Sequence, residues 1–240
     1  MMVSVIMPVY NGAAYIQEAI ESIVSQHVTD IAWEIIIVDD GSTDATSEII
    51  HAFHNPDIRY IHQQHSGPSK ARNTGILQAR GDLIAFLDAD DYWPLTKLKH
   101  QLSFLEENQN VDVVGGLIEY VYMPGSEYRK EQIKIDTPVF NVQLGGLIVR
   151  KKVFDTVGYF NEQLHFSEDQ DWILRIKESN VPMTILNETV LLYRIHPGNM
   201  TLHKTLKDLG VLRALKLSLD RRRQKPGDPL NPITTHEGKD

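Results

Sequence analysis

Four short apolar runs, each ending in an acidic or glycine-rich turn, alternate with helix-period patterns through the first hundred residues. This alternation constrains the fold more than any other feature of the chain. Val3–Met7 reads as a buried strand, and Ile16, Ala19, Ile20, Ile23 and Val24 then recur at the spacing of one helix face. Glu34–Val38 is a second strand, followed by Gly41-Ser42-Thr43 and a helix burying Ile49, Ile50 and Phe53. Asp57–Ile61 is a third strand, residues 68–79 a helix, and Leu83–Leu87 a fourth strand that stops at Asp88-Ala89-Asp90-Asp91. Strands and helices in this order, with short connections, imply an α/β fold with a doubly wound, mostly parallel sheet. Such sheets bind ligands beyond the carboxyl ends of their strands, where the acidic and glycine-rich turns fall.

After a helix at residues 94–108 the pattern loosens. Val113–Tyr122 and Gly145–Val149 read as strands flanking a polar stretch that contains Pro124-Gly125 and Pro138. Short and long helices follow near Lys151–Val157 and Glu168–Glu178, then a strand near Met183–Tyr193. A helix from about Leu206 to Arg223 is basic, and its Leu209, Leu212, Leu215 and Leu219 at near-helical spacing would bury an interface with a second copy or cover the helix's own domain. From Lys204 to Lys225 the Lys and Arg outnumber Asp by six, so the net charge of −8 leaves about −14 for the rest. An acidic body argues against nucleic-acid binding, while the basic segment suits anionic lipid, an acidic partner or simply solvent. With no cysteine, disulfides and Cys-ligated zinc are excluded and a reducing cytoplasm is the natural compartment. No apolar stretch approaches the ~20 residues that span a bilayer, and Met1–Met7 reads as neither signal peptide nor anchor.

Four clusters carry chemical potential: 38–44 (VDDGSTD), 66–73 (SGPSKARN), 86–91 (FLDADD) and 167–172 (SEDQDW). Any one has a bland reading as turn chemistry or as acids favoured at a helix start. The third is harder to dismiss. Three carboxylates within four residues repel one another unless a cation sits among them, and a hard ion such as Mg²⁺ or Mn²⁺ takes oxygen ligands and bridges to phosphates. There it would neutralise a departing diphosphate. Arg72, opening a helix after a glycine turn, would add a second positive contact or pair with one of the acidic loops.

In order and spacing, Val5-Ile6-Met7-Pro8-Val9-Tyr10-Asn11-Gly12, the 38–44 cluster, Gly67 to Gly75 and Leu87-Asp88-Ala89-Asp90-Asp91 closely resemble the family 2 glycosyltransferases of GT-A fold. The resemblance continues through the 167–172 cluster to Tyr193-Arg194-Ile195-His196-Pro197-Gly198-Asn199 and covers residues 3–200. It implies an inverting transferase that moves a hexosyl or hexosaminyl unit from a nucleotide-diphosphate-sugar, UDP being typical of the family, to an acceptor hydroxyl, as in bacterial cell-surface glycan synthesis. It further implies that Pro8, Val9 and Tyr10 line the base site, Tyr10 stacking on the base. Asp40 would hydrogen-bond the base, Arg72 face the nucleotide and Asp88 sit near the ribose. Asp90, with His196, would bind the divalent metal, Mn or Mg. Asp169 is the expected general base, since an inverting displacement needs only a carboxylate within reach of the acceptor hydroxyl. Ser167 with Gln170 also fits a capping box, Asp171 is expected to point elsewhere, and Trp172 to line a sugar pocket or pack.

The division that follows is a GT-A domain at 1–203, with a nucleotide-sugar half at 1–110 and an acceptor half at 111–203. A basic helix at 204–225 and a flexible tail at 226–240 complete it. The membrane helices and Gln-x-x-Arg-Trp motif of the processive relatives are missing, which implies a stand-alone, non-processive enzyme with residues 123–142 contributing to acceptor recognition. A glycan or lipid-linked acceptor is expected, as are a cytoplasmic location with peripheral membrane contact through the basic helix, and room for an oligomer. Two competing readings are a non-catalytic nucleotide-sugar-binding protein on the same fold and a sugar nucleotidyltransferase. The second would show a glycine-rich loop with a basic residue after the first strand, and Pro8 to Gly12 has none.

Overall fold

The computed structural model describes residues 1–26, 28, 31–126, 139, 143–200, 204, 208–224 and 234–236. Strands β1 (Met2–Val9), β2 (Ala32–Asp39), β3 (Ile58–His62) and β4 (Leu83–Phe86) run parallel, with helices α1 (Ile16–Val24), α2 (Thr46–His51) and α3 (Pro68–Gln78) between them. Helix α4 (Lys97–Glu107) leads to β5 (Val113–Tyr122). Strand β6 (Ile148–Arg150) lies antiparallel between β4 and β5. Helices α5 (Val153–Val157) and α6 (Glu168–Glu178) precede β7 (Met183–Ile195), which runs parallel to β5. Helix α7 (Val211–Gln224) and an edge strand β8 (Thr234–His236) follow. All eight strands form one sheet in the order β3-β2-β1-β4-β6-β5-β7-β8.

Strand β1 reads as an unbroken apolar run because both of its faces are covered. Val3, Val5, Met7 and Val9 pack with Ile16, Ala19, Ile20 and Ile23 of α1 and Leu98, Leu102 and Leu105 of α4. Ile6 faces the opposite core with Ala71 and Ile76 of α3, Phe86, and Trp172 and Ile176 of α6. Helix α3 rides close over β1: a Cβ on Gly75 would fall 2.5 Å from Ile6 Cγ2, so only glycine permits the approach that sets Arg72, one turn earlier, at the carboxyl end of the sheet. The amino end carries a satisfied polar lock. Ser4 Oγ donates to Glu34 Oε1 at 2.7 Å, Arg59 Nη1 to Oε2 at 2.8 Å and the Arg80 N–H to Oε1 at 2.7 Å. Burial pushes the Glu34 carboxyl up, and these donors outweigh it, holding the group below its ordinary value.

Several sequence expectations change. Val24 is 39% exposed, since the buried stripe of α1 ends at Ile23. Gly145 and Gly146 form a 3₁₀ turn (Leu144–Gly146) and the strand begins only at Ile148. The basic helix starts at Val211, after Gly210 at φ 69°, while Leu206, Lys207 and Lys225 lie outside the described residues. Leu212, Leu215 and Leu219 do not cover the domain; they are exposed, and Ala214 and Ser218 turn inward instead. Within the expected flexible tail, Thr234–His236 pairs in register with Thr184, Ile185 and Leu186 of β7; the rest of 226–240 lies outside the described residues. Of the expected acceptor stretch 123–142, only 123–126 and Val139 are described, Val139 bridging Ile118. Among the described residues no helix is long and apolar enough to cross a membrane.

Candidate active site

Because β2, β1 and β4 are adjacent and parallel, the turns after them meet at one edge. The first two are zipped together. Asn11 Oδ1 accepts from the Thr43 N–H at 2.8 Å, and Ser42 Oγ, Thr46 Oγ1 and Asp44 Oδ2 accept from the N–H groups of Asn11, Gly12 and Ala13. Asp39 accepts from the Ser42 N–H at 2.8 Å and from the Tyr60 hydroxyl at 2.6 Å. Burial raises its carboxyl, and the donors from Ser42 and Tyr60 more than offset that, as Thr46 and Ala13 do for Asp44.

Tyr10 leaves this scaffold 49% exposed, its ring stacked on His65 at 4.2 Å and 30°. Pro8 and Val9, expected to line the base site, are buried: β1 continues to Val9, and alternation sends that side chain into the core. Asp40 is also buried, and its acceptor positions are taken. Oδ1 receives Gln63 Nε2 at 2.6 Å and the Ser66 N–H at 2.9 Å, while Oδ2 receives the Gly67 N–H at 2.8 Å and lies 2.9 Å from His65 Nδ1. Gly67, at φ 91°, turns its N–H into this site and opens α3. Asp40 therefore organises the 63–67 loop, and a base would reach it only by displacing the exposed His65 ring or Gln63.

Arg72 takes the second of the two roles its position allowed, pairing with an acidic loop. Instead of facing open space for a nucleotide it is buried, donating from Nη2 to Asp88 Oδ1 and from Nη1 to Glu168 Oε1, both at 2.7 Å. It thus joins the acidic loop after β4 to the first turn of α6. Within that loop Asp91 is buried and accepts from the Arg194 N–H at 2.8 Å. Burial and the neighbouring Asp90 and Asp88 push its carboxyl well above the ordinary range. Asp88 and Asp90 are both partly exposed, Asp90 with Oδ2 3.1 Å from His196 Nε2 and 3.5 Å from Asn199 Nδ2.

The crowded carboxylates fit a divalent cation, which takes oxygen ligands and completes its shell with phosphates and water. Burial first, and then the neighbouring Asp90 and Asp88 charges, raise the Asp91 carboxyl. His196 fits less well than the resemblance implies. Its Nδ1 accepts from the Gly198 N–H at 3.1 Å, so the neutral ring carries its proton on Nε2 and donates to Asp90, with no lone pair there for a metal. The turn through Asn199, whose Oδ1 accepts from the His196 N–H at 2.7 Å, and the Tyr15 ring at 4.4 Å hold this orientation. Among the described residues no three His, Asp or Glu side chains close around one point.

Asp169 lies in the first turn of α6, partly exposed, with Oδ1 accepting from the Gln170 N–H at 2.7 Å. Burial and the adjacent Glu168 charge raise its carboxyl, the Gln170 N–H and Arg72 pull it down, and the result is about 6. Ser167 does not cap this helix. At φ 60° it is left-handed, and its hydroxyl donates instead to the Leu209 carbonyl at 2.6 Å. Asp171 is structural, buried and accepting from Arg175 Nε at 3.0 Å and Arg221 Nη1 at 2.9 Å. Trp172 packs in the core, parallel to Phe154 at 5.0 Å, its Nε1 donating to the Gly158 carbonyl.

The structure therefore brings Tyr10, Asp40, Arg72, Asp88, Asp90, His196 and Asp169 to one end of the sheet. His65, Glu168, Asn199 and Tyr15 join them without having been singled out. Glu168 had read only as a helix-favouring acid, and neither His65 nor Tyr15 carries a spacing signal. Two surface clefts lie elsewhere, one of about 300 Å³ between Ile50 and Tyr60 and one of about 460 Å³ lined by Arg80, Asp82 and residues 150–152.

The Glycosyl transferase family 2 model matches residues 4–168. An uncharacterised glycosyltransferase of Rickettsia typhi is 33% identical over 214 residues, 83% of this chain and 66% of the relative, so the chain spans just under two thirds of that protein's length. Among solved structures, S. aureus TarS in complex with UDP-GlcNAc aligns with 95% of this chain and 68% of its own at 24% identity, TM-score 0.76. A mannosyltransferase of Pyrobaculum calidifontis in complex with GDP-Man and Mn²⁺ aligns with 95% of this chain and 65% of its own at 22% identity, TM-score 0.67. These likenesses establish the GT-A fold.

Proposed function

The chain belongs to glycosyl transferase family 2, and we propose that it transfers a sugar from a nucleotide-diphosphate-sugar to an acceptor hydroxyl with inversion, in the building of a bacterial cell-surface glycan. The observation that carries this reading is the Arg72 bridge. One guanidinium, held by two 2.7 Å ion pairs, locks the turn bearing Asp169 to the loop bearing Asp88 and Asp90. A base and a diphosphate-binding loop must be fixed relative to each other if the acceptor oxygen is to attack opposite the leaving group.

In this reading the donor's base stacks on the exposed Tyr10 face, where the His65 ring now lies. A UDP-sugar is the first choice: S. aureus TarS is described with UDP-GlcNAc, although the Pyrobaculum calidifontis enzyme, with GDP-Man, keeps the other base in play. A divalent cation at Asp90, with Asp88 beside it, would neutralise the departing diphosphate as a Lewis acid. His196, protonated toward Asp90, orients that carboxylate. Asp169 accepts the proton of the acceptor hydroxyl as the new carbon–oxygen bond forms and the anomeric carbon–phosphate oxygen bond breaks on the opposite face. Its raised affinity for a proton, near 6, suits a base working close to neutrality. The division into a donor half at 1–110 and an acceptor half at 111–203 belongs to the same proposal.

Titration calorimetry of UDP, GDP, dTDP and their sugars, with and without Mn²⁺, on the wild type and Asp90→Ala tests the donor site. Metal-dependent binding of one nucleotide, lost in the variant, is the expected result; no binding under any condition overturns the reading. Proton NMR of the anomeric signal in a transfer product then decides inversion against retention.

A further inference from the structure

Helix α7 carries three of its large apolar residues on the side that faces away from the protein, while Val211 and Leu217 are half-buried. Leu212, Leu215 and Leu219 are 66%, 46% and 51% exposed and share one stripe of the helix surface. The face turned inward is small and polar. Ala214 and Ser218 are buried, and Arg221 donates to both Glu178 oxygens, at 2.6 and 3.2 Å, and to Asp171 at 2.9 Å. At the helix start the Ser167 hydroxyl holds the Leu209 carbonyl, and Arg213 Nη1 reaches the Gln163 carbonyl at 3.3 Å. Helix α7 is thus docked on α6 chiefly through a polar clamp and small side chains, with the exposed Leu212, Leu215 and Leu219 on the opposite side.

Cations border the leucine stripe. Lys216 and Arg223 lie on one flank at helical spacing, with Arg213 beyond them, and Arg222 lies on the other; all four are exposed. Asp220 is the acid among them, 3.7 Å from Arg223. The rest of the chain is strongly acidic, so this face is basic against the sign of the whole molecule.

We propose that the outer face of α7 is a docking surface for an anionic lipid bilayer, the leucines entering the headgroup–acyl boundary while Lys216, Arg222 and Arg223 bind lipid phosphates. Apolar stripe and cationic flanks together are what such an interface recognises. Long basic side chains beside leucines reach back to the headgroup level without leaving apolar surface uncovered. A second copy of the chain is a poorer occupant, because pairing two such faces would set Lys216, Arg222 and Arg223 against their own counterparts. Since the beginning of α7 is bonded to Ser167, docking would hold the Asp169 turn close to the membrane surface, where a lipid-linked acceptor presents its sugar. Only that last consequence rests on the proposed glycosyl transfer; the docking needs neither donor nor acceptor.

Flotation with vesicles of equimolar phosphatidylcholine and phosphatidylglycerol, and with phosphatidylcholine alone, separates the outcomes. The full chain is expected to float with the anionic vesicles only, and to be released at high salt. Leu212→Gln/Leu215→Gln/Leu219→Gln and Lys216→Glu/Arg222→Glu/Arg223→Glu should each weaken partitioning by at least about tenfold while leaving the melting temperature and nucleotide binding unchanged. These positions are exposed, so the variants are expected to fold. A wild type that stays in solution overturns the proposal, as does flotation that survives the leucine substitutions. Light scattering that shows a dimer abolished by the leucine substitutions would assign the face to a second copy instead.

Discussion

The loops after β1 and β2 and the first turn of α6 both crowd carboxylates at one end of the sheet, yet they treat the charge in opposite ways. In the former, Asp39 and Asp44 are surrounded by N–H and hydroxyl donors that hold their carboxyls below the ordinary value, in spite of burial. In the latter, and in the loop after β4, burial and then neighbouring carboxylates raise the proton affinity of Asp169 and Asp91, and the few donors they have do not offset it. A satisfied carboxylate builds a loop; a carboxylate left short of donors stores electrostatic free energy that chemistry can use. Arg72 lies between the two situations, pairing with Asp88 and Glu168 but leaving Asp169 next to a like charge.

The sharpest way to break this contrast is to neutralise one member of each class. Asp169→Asn should lower kcat by about a hundredfold to ten-thousandfold, the range expected for loss of a positioned base. Donor affinity measured by calorimetry should stay within a factor of about two of the wild type. A variant that keeps activity within tenfold would remove Asp169 from the chemistry. Asp39→Ala should do the reverse. It leaves the Ser42 N–H and the Tyr60 hydroxyl without their acceptor, and urea denaturation should show a loss of about 2–3 kcal/mol. If Asp39→Ala unfolds like the wild type, the claim that this carboxylate is structural fails.

The same contrast marks what was legible in the sequence. The unbroken apolar run of β1 and the helical spacing in α1 place the core because they depend only on neighbours in the chain. The acidic turns are visible for the same reason. The particular partners were not legible. Arg72 and Glu168 lie 96 residues apart and His196 and Asp90 106 apart, and only the folded sheet shows which carboxylates the arginine takes and that the histidine ring lies against Asp90. The leucine row of α7 was legible only in part, and of its two readings the one that covers its own domain is excluded by exposure. Its spacing was read correctly as one face, but periodicity cannot say whether that face points in or out, and here Arg221 and two small residues hold the helix the other way round.

A smaller effect is expected at the base platform. Tyr10→Ala removes a stacking surface and should weaken donor binding by about 1 kcal/mol, roughly fivefold in Kd, with kcat at saturation little changed. Unchanged donor affinity would mean that the Tyr10–His65 stack only closes the loop over Asp40.

The smallest effect sharpens the contrast most, because it alters the charge around Asp169 without touching Asp169 itself. A general base must be ionised to act, so kcat/KM should fall as pH drops through about 6, close to tenfold per unit below it. After burial, the Glu168 charge is the main cause holding that value up, while the Gln170 N–H and Arg72 pull it down. Glu168→Gln removes the like charge, keeps an oxygen for Arg72 and leaves the guanidinium in place. The acidic limb should therefore move to lower pH, by up to about one unit, with the plateau rate nearly unchanged. An upward move would mean that losing the ion pair lets Arg72 swing away from Asp169, making the bridge rather than the like charge the dominant influence. No move at all would show that the limb belongs to another group, and would separate the base from the carboxylate cluster that frames it.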